Sequence, residues 1–349
     1  MWCSTLITSV LAAAATVEAY GIKTHITYEV VTGIFKQDDP ATDASSFNFT
    51  AENFGLIEQK YPSDWTYLFQ RPTSWQRLNR YIETLNLKAK YNERYTLLFL
   101  GRHGEGYHNA AETYFGTPAW NCYWSEKDGN GTVTWADAHL TPKGIAQAQD
   151  VNKFWETLLT KEKITAPQTY YTSPLYRCLD TARLTFTGLP LPKTRPFVPI
   201  IKEYFREGIS AHTCDRRSTK SSIHAAFPSY KFEKGFAERD PYWTALHAEP
   251  SSDQDIRSKK ALDDVFSSDR STYISVTAHS GEIASLLRVL GHRVFGLATG
   301  AAMPVLVKAS TVAGGAGSAT STVAWPAQKT CGVPPAVRDS SCNDCSCCS

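Results

Sequence analysis

Three short clusters carry side chains suited to phosphate chemistry: Arg102-His103-Gly104-Glu105, residues 173–177 ending in Arg177, and His279-Ser280-Gly281. A phosphoryl group is an anion with several oxygen acceptors, and the planar fork of arginine meets it bidentately. Its transfer asks mainly for positioning and charge stabilisation. A neutral imidazole is a competent nucleophile near neutral pH. Gly104 and Gly281 would let the backbone approach a ligand, and the N–H groups of a following helix would add donors. Singly, each residue has a plainer reading. A histidine after a strand usually caps or packs, and a lone arginine is usually a surface cation. The conjunction shifts the balance, and the spacing is not of a metal-binding type.

Each cluster follows a strand signal. Residues 95–100 (YTLLFL), 168–172 and 273–278 (YISVTA) read as short buried strands. Two more are predicted at 197–201, where Pro199 weakens the signal, and at 303–308. Thr141-Pro142 opens a helix to about residue 160, and Ser173-Pro174 opens one through 185. A third helix spans about 281–290. This alternation predicts an α/β fold with a mostly parallel sheet covered on both faces. In such sheets ligands bind beyond the carboxyl ends of the strands, so the three clusters would share one rim. Residues 203 to about 260 are polar and break the rhythm, as an insertion over the site would. Residues 20–94 read as an N-terminal arm with few strand signals. Residues 95–308 form the main domain, and 309–349 a Gly/Ala/Ser-rich linker with a Cys-rich tail.

The 349 residues hold 36 basic and 34 acidic side chains, a net charge of +2. No global basic field points to nucleic acid, so anion recognition must be local. Residues 6–17 are apolar and small, and Val17-Glu18-Ala19 suits a cut after 19. Export is expected, although this leader has no Lys or Arg; the alternative is an N-terminal helix packed on a cytoplasmic enzyme. The stretch is too short to span a bilayer, and no later segment is apolar enough to do so. The sequons at Asn48 and Asn130 agree with export. Eight cysteines follow residue 19, an even count that permits disulfides of unreadable pairing.

The run LLFLGRHGEGYHN resembles the signature of the histidine phosphatase superfamily, in its phosphoglycerate-mutase-like branch. Segments 139–148 (HLTPKGIAQA), 171–182 (YTSPLYRCLDTA) and 276–283 (VTAHSGEI) agree, in the expected order, over about residues 96–308. The resemblance implies a three-layer α/β/α sandwich with an inserted cap. It implies His103 as the nucleophile that becomes phosphohistidine. Arg102, Arg177 and His279 would clamp the phosphate, with Asn109 as a further polar contact. The proton donor would come from the insertion. Residues 202–217 (KEYFREGISAHTCDRR) resemble that segment in fungal members, with Glu207 the best match and Glu203 and Asp215 as rivals. The plainer reading of Glu207 is a salt bridge to Arg206 or Arg216. The implied activity is phosphatase action on a small phosphorylated molecule without a cofactor. A phosphomutase or a non-catalytic phospholigand-binding protein is the alternative.

Departures also inform. The phytase-like branch carries Arg and Pro after the RHG and Asp after the second His. Here Gly106, His108 and Ser280 stand there, which argues against phytase. His212, Cys214, Asp215 and His224 admit a zinc reading, but without the paired spacing of a structural zinc site. In the tail, Cys342 and Cys345 make one CxxC beside Cys347 and Cys348, open to metal, disulfides or acylation.

Overall fold

The computed structural model describes residues 23–67, 70–315, 324–338 and Cys345. The expected export signal lies outside them. Seven strands form one sheet: β1 (Thr24–Val30), β2 (Glu93–Arg102), β3 (Thr169–Thr172), β4 (Ile200–Ile201), β5 (Lys231–Phe232), β6 (Tyr273–Ala278) and β7 (Ala302–Ala313). Their spatial order is β1-β7-β2-β6-β3-β4-β5. β2, β6, β3, β4 and β5 are parallel, and only β7 runs against its neighbours. The mostly parallel sheet expected from the alternation is therefore present.

Side chains alternate across the sheet, as the period of a strand requires. From β2, Leu97 and Phe99 point to one layer, formed by α1 (Ser74–Lys88), α4 (Pro142–Thr157) and α5 (Tyr176–Phe186). There they join Trp75, Leu78, Trp155 and Phe186. Leu98 and Leu100 point to the opposite layer, formed by α7 (Ser251–Ser268) and α8 (Ser280–Leu290), with Leu262, Val265 and Leu286. Both faces of the sheet are thus buried, which gives the three-layer α/β/α sandwich. Three shorter helices complete the description: α2 (Tyr107–Phe115), α3 (Thr117–Cys122) and α6 (Lys220–Ala226).

Thr141 caps α4 as expected, its hydroxyl accepting from the Gly144 N–H, with Pro142 in the first turn. The start of α5 departs from expectation. Ser173 and Pro174 lie in a turn, and the helix begins at Tyr176, because Leu175 is still extended. The arm of residues 20–94 holds more than was expected. It supplies β1 to the sheet edge and α1 to one face, the latter capped by Thr73. The insertion also differs: β5 extends the sheet beside β4, and α7 starts at Ser251, inside the range expected to be irregular. At the other end, β7 runs to Ala313, so the first residues of the expected linker are strand.

The C-terminal segment 324–338 crosses the surface of residues 209–249. Ala248 N–H donates to the Pro326 carbonyl (3.1 Å) and Gln328 N–H to that of Leu246 (2.8 Å). The Ala211 N–H donates to Gln328 Oε1 (3.1 Å), and Trp325 Nε1 to Asp253 on α7 (2.7 Å). A disulfide joins Cys122 on α3 to Cys345, 223 residues apart. Cys342, Cys347 and Cys348 lie outside the described residues. No helix among the described residues is long and apolar enough to cross a membrane.

Candidate active site

β2, β3 and β6 are adjacent and parallel, with Arg102 opposite Ala278 and Thr172 opposite Thr277. The ladder continues past the strand ends: His103 N–H donates to the Ala278 carbonyl and Ser173 N–H to that of Thr277, both at 3.0 Å. The three clusters therefore do stand on one rim.

His103 is buried, and its protonation pattern follows from its contacts. Nδ1 lies 2.7 Å from the Gly104 carbonyl, which can only accept, so Nδ1 carries the proton. The lone pair is left on Nε2, 3.3 Å from Arg177 Nε. The rings of His103 and His279 are 5.1 Å apart. His279 Nε2 is 2.7 Å from Ser173 Oγ and 3.3 Å from the Cys178 thiol. Burial holds both imidazoles well below the ordinary histidine range, and the two guanidinium groups add to the effect. Burial pushes the Cys178 thiol up, so it is an inert neighbour.

The two arginines differ in their commitments. Arg177 is fully enclosed; it donates to the Cys214 carbonyl (2.6 Å) and pairs with Asp215 (3.3 Å). Arg102 donates through Nη1 to the Leu297 carbonyl, but its Nε is buried and has no partner among the described residues. A buried unpaired donor is costly unless a ligand completes it, and an anionic oxygen would.

Glu207 enters this ring from the segment that follows β4. Its carboxylate accepts from the N–H groups of Gly281 (3.1 Å) and Glu282 (3.0 Å), at the first turn of α8, and from its own Gly208 (2.9 Å). It lies close enough to Arg102 and Arg177 to favour their charged forms. The helix donors expected for a phosphate thus hold a carboxylate instead. Gly281 serves that carboxylate too: a Cβ there would lie 2.3 Å from Glu207 Oε1. The arginines named in the plainer reading are engaged elsewhere, Arg206 with Glu203 and Asp240 and Arg216 with Asp128. The rivals are engaged as well. Glu203 pairs with Arg206 and Arg217, and Asp215 with Arg177 and Ser210.

Asn109 is engaged within its own helix. Its Oδ1 accepts the Gly106 N–H (3.0 Å) and closes the first turn of α2. The residue that sequence reasoning passed over is His108. It is buried, its ring is 5.6 Å from that of His103, and its Nδ1 has no partner among the described residues. Burial, with Arg177 and His103 next, holds it well below the ordinary imidazole range. A Cβ on Gly106 would meet this Nδ1 at 2.7 Å, so the ring fills room that the glycine leaves. The departure at Gly106 and His108, used only to separate branches, was the available signal.

Of the four residues in the zinc reading, only His212, Cys214 and Asp215 bring their donor atoms together, within 4.8 Å. His224 is exposed on α6 and is not among them. The same Asp215 already pairs with Arg177, whose charge opposes a cation there.

Two comparisons bear on this site. The model of the histidine phosphatase superfamily (branch 1) matches residues 98–299. Over 287 residues the chain is 50% identical to a probable phosphoglycerate mutase of Arthroderma benhamiae, covering 82% of this chain and 85% of that one. It is 38% identical over 274 residues to phosphomutase-like protein 3 of Candida albicans, covering 78% and 77%. A probable phosphoglycerate mutase of Saccharomyces cerevisiae is 33% identical over 235 residues, covering 62% and 80%.

Proposed function

Because this chain belongs to the histidine phosphatase superfamily, we propose that it hydrolyses a phosphomonoester through a phosphohistidine on His103. The observation that carries this reading is the fixed tautomer of His103, with its Nε2 lone pair turned to the Arg177 guanidinium. The lone pair attacks phosphorus while the bond to the leaving oxygen breaks. Arg102 and Arg177 balance the charge on the remaining phosphoryl oxygens, the neutral His279 ring offers a hydrogen bond, and Asn109 adds a polar contact at the edge. Glu207 enters the step as the carboxylic acid, gives its proton to the leaving oxygen and becomes the carboxylate. Its carboxylate then takes a proton from water, whose oxygen attacks phosphorus and breaks the N–P bond. Inorganic phosphate leaves, His103 is again neutral, and no cofactor enters the balance.

Hydrolysis is favoured over phosphomutase action because the four motifs single out no cradle for a carboxylate beside the phosphate. Export would also part the enzyme from phosphorylated intermediates of the cell interior. The intact set of nucleophile and cations speaks against a purely binding role. The test is phosphate release over a panel of phosphomonoesters. His103→Ala should lose on the order of a thousandfold or more. Wild-type rates in that variant reject the mechanism, and transfer between substrate hydroxyls without net phosphate release favours a mutase. A chelator should leave turnover unchanged.

Secretion after a cut behind Ala19 is part of the same proposal. The Cys122–Cys345 disulfide supports an oxidising compartment. Sequencing the amino terminus of protein recovered from culture medium tests it.

A further inference from the structure

Glu207 is held at two ends, and the second grip lies outside the phosphate site. Arg257 on α7 is buried and places all its guanidinium nitrogens. Nη1 donates to the carbonyls of Tyr204 (2.8 Å) and Arg206 (2.9 Å) and to Glu282 Oε2 (3.2 Å). Nη2 donates to the Glu207 carbonyl (3.1 Å) and to Glu249 Oε2 (2.7 Å), while Nε donates to Glu249 Oε1 (2.9 Å). Glu249 in turn accepts the N–H of Ile209 (3.1 Å), and its own N–H donates to the Ile209 carbonyl (2.6 Å).

The carbonyls of residues 204, 206 and 207 and the amide of 209 are therefore all referred to one guanidinium and its carboxylate. The circuit closes through α8. The backbone N–H of Glu282 holds the Glu207 carboxylate, and the side chain of Glu282 returns to Arg257 and to Ser258 Oγ (2.9 Å). Residues 206–212 form no helix or strand, so side-chain contacts such as these hold the segment in place. A lysine could not reproduce this, because a point charge cannot serve three carbonyls and two carboxyl groups at once.

We propose that Arg257, together with Glu249, is a positioning residue that sets the reach of the Glu207 carboxyl into the phosphate site. The inference rests on the reading of Glu207 as proton donor. It touches no reacting atom and acts only through that carboxyl.

Proton donation matters most when the leaving group is a poor one. The experiment compares kcat/KM for an alkyl phosphate and a nitrophenyl phosphate in Glu207→Gln, Arg257→Lys and the double variant. Glu207→Gln should lose about a hundredfold or more on the alkyl ester and tenfold less on the aryl ester. Arg257→Lys should show the same tilt, with at least a tenfold greater loss on the alkyl ester. The double variant should be no worse than Glu207→Gln alone, because the arginine then has nothing left to position. Equal losses on both esters, or losses that multiply in the double variant, overturn the positioning role and leave the donor intact. No tilt in Glu207→Gln overturns the donor, and the positioning role with it. If Arg257→Lys does not fold, Glu249→Gln carries the same comparison, since it leaves the arginine its carbonyl contacts and Glu282.

Discussion

At the scale of single residues, the site is built by what glycine leaves out as much as by what charge brings in. Gly281 makes room for a carboxylate, and Gly106 for an imidazole. Gly281→Ala should fold well, because a Cβ in the first turn of a helix suits the backbone and the obstructing group is a side-chain tip. It should push Glu207 aside and lower kcat/KM on alkyl phosphates at least tenfold with an unchanged melting temperature. Unchanged kinetics would show that the carboxyl has another working position. Gly106→Ser should displace the His108 ring in the same way, visible in a crystal structure of the variant. His103, Arg102, Arg177 and His279 were legible in the sequence because strand ends announce themselves locally. Glu207 came only through resemblance. Its contacts join residues 74 and 75 positions apart, and no local pattern encodes such a meeting. His108 was visible as a letter but not as a buried ring, since its burial depends on α2 folding back on the rim.

At the scale of elements, the rim gathers cations and neutral imidazoles, and the turn at Thr213–Asp215 offsets one of the charges. Asp215→Ala leaves Arg177 buried beside one carbonyl and no carboxylate. That should destabilise the fold by about 3–5 kcal/mol, measured by urea denaturation. A change within experimental error would mean that solvent reaches the guanidinium. The imidazoles of His103, His108 and His279 are all held down, chiefly by burial. The folded state therefore takes up fewer protons than the unfolded chain once pH drops below about 6.5. Each imidazole contributes stability that is full above that pH and is lost as pH falls. Glu282, pushed up to about 8 by burial, acts with the opposite sign. Site-resolved NMR separates them: the three rings should keep neutral signatures from pH 7.5 to 5.5, and titration of any near 6.5 would contradict its burial. The central strands were legible because β2 and β6 are buried on both faces and read as apolar runs. β1 was not, since it sits at an edge, half exposed, with a mixed pattern. α7 was not, because charged residues line much of it, and its apolar stripe emerges only against the sheet.

At the scale of the whole molecule, segment 324–338 ties the surface of residues 209–249 to the rest, and the Cys122–Cys345 disulfide anchors the tie. Cys345→Ser should cost about 2–4 kcal/mol by freeing the unfolded chain. It should lower the melting temperature while leaving room-temperature turnover close to wild type. An unchanged melting curve would show that the crossing segment holds without its bond. The sequence named Cys345 but not its mate, because pairing depends on α3 and the tail meeting in space. That bond has a consequence for biosynthesis. It cannot form until residue 345 has been synthesised and has cleared the ribosome or the translocation pore, long after residue 122. Most of the chain is therefore free to begin folding before this bond becomes available.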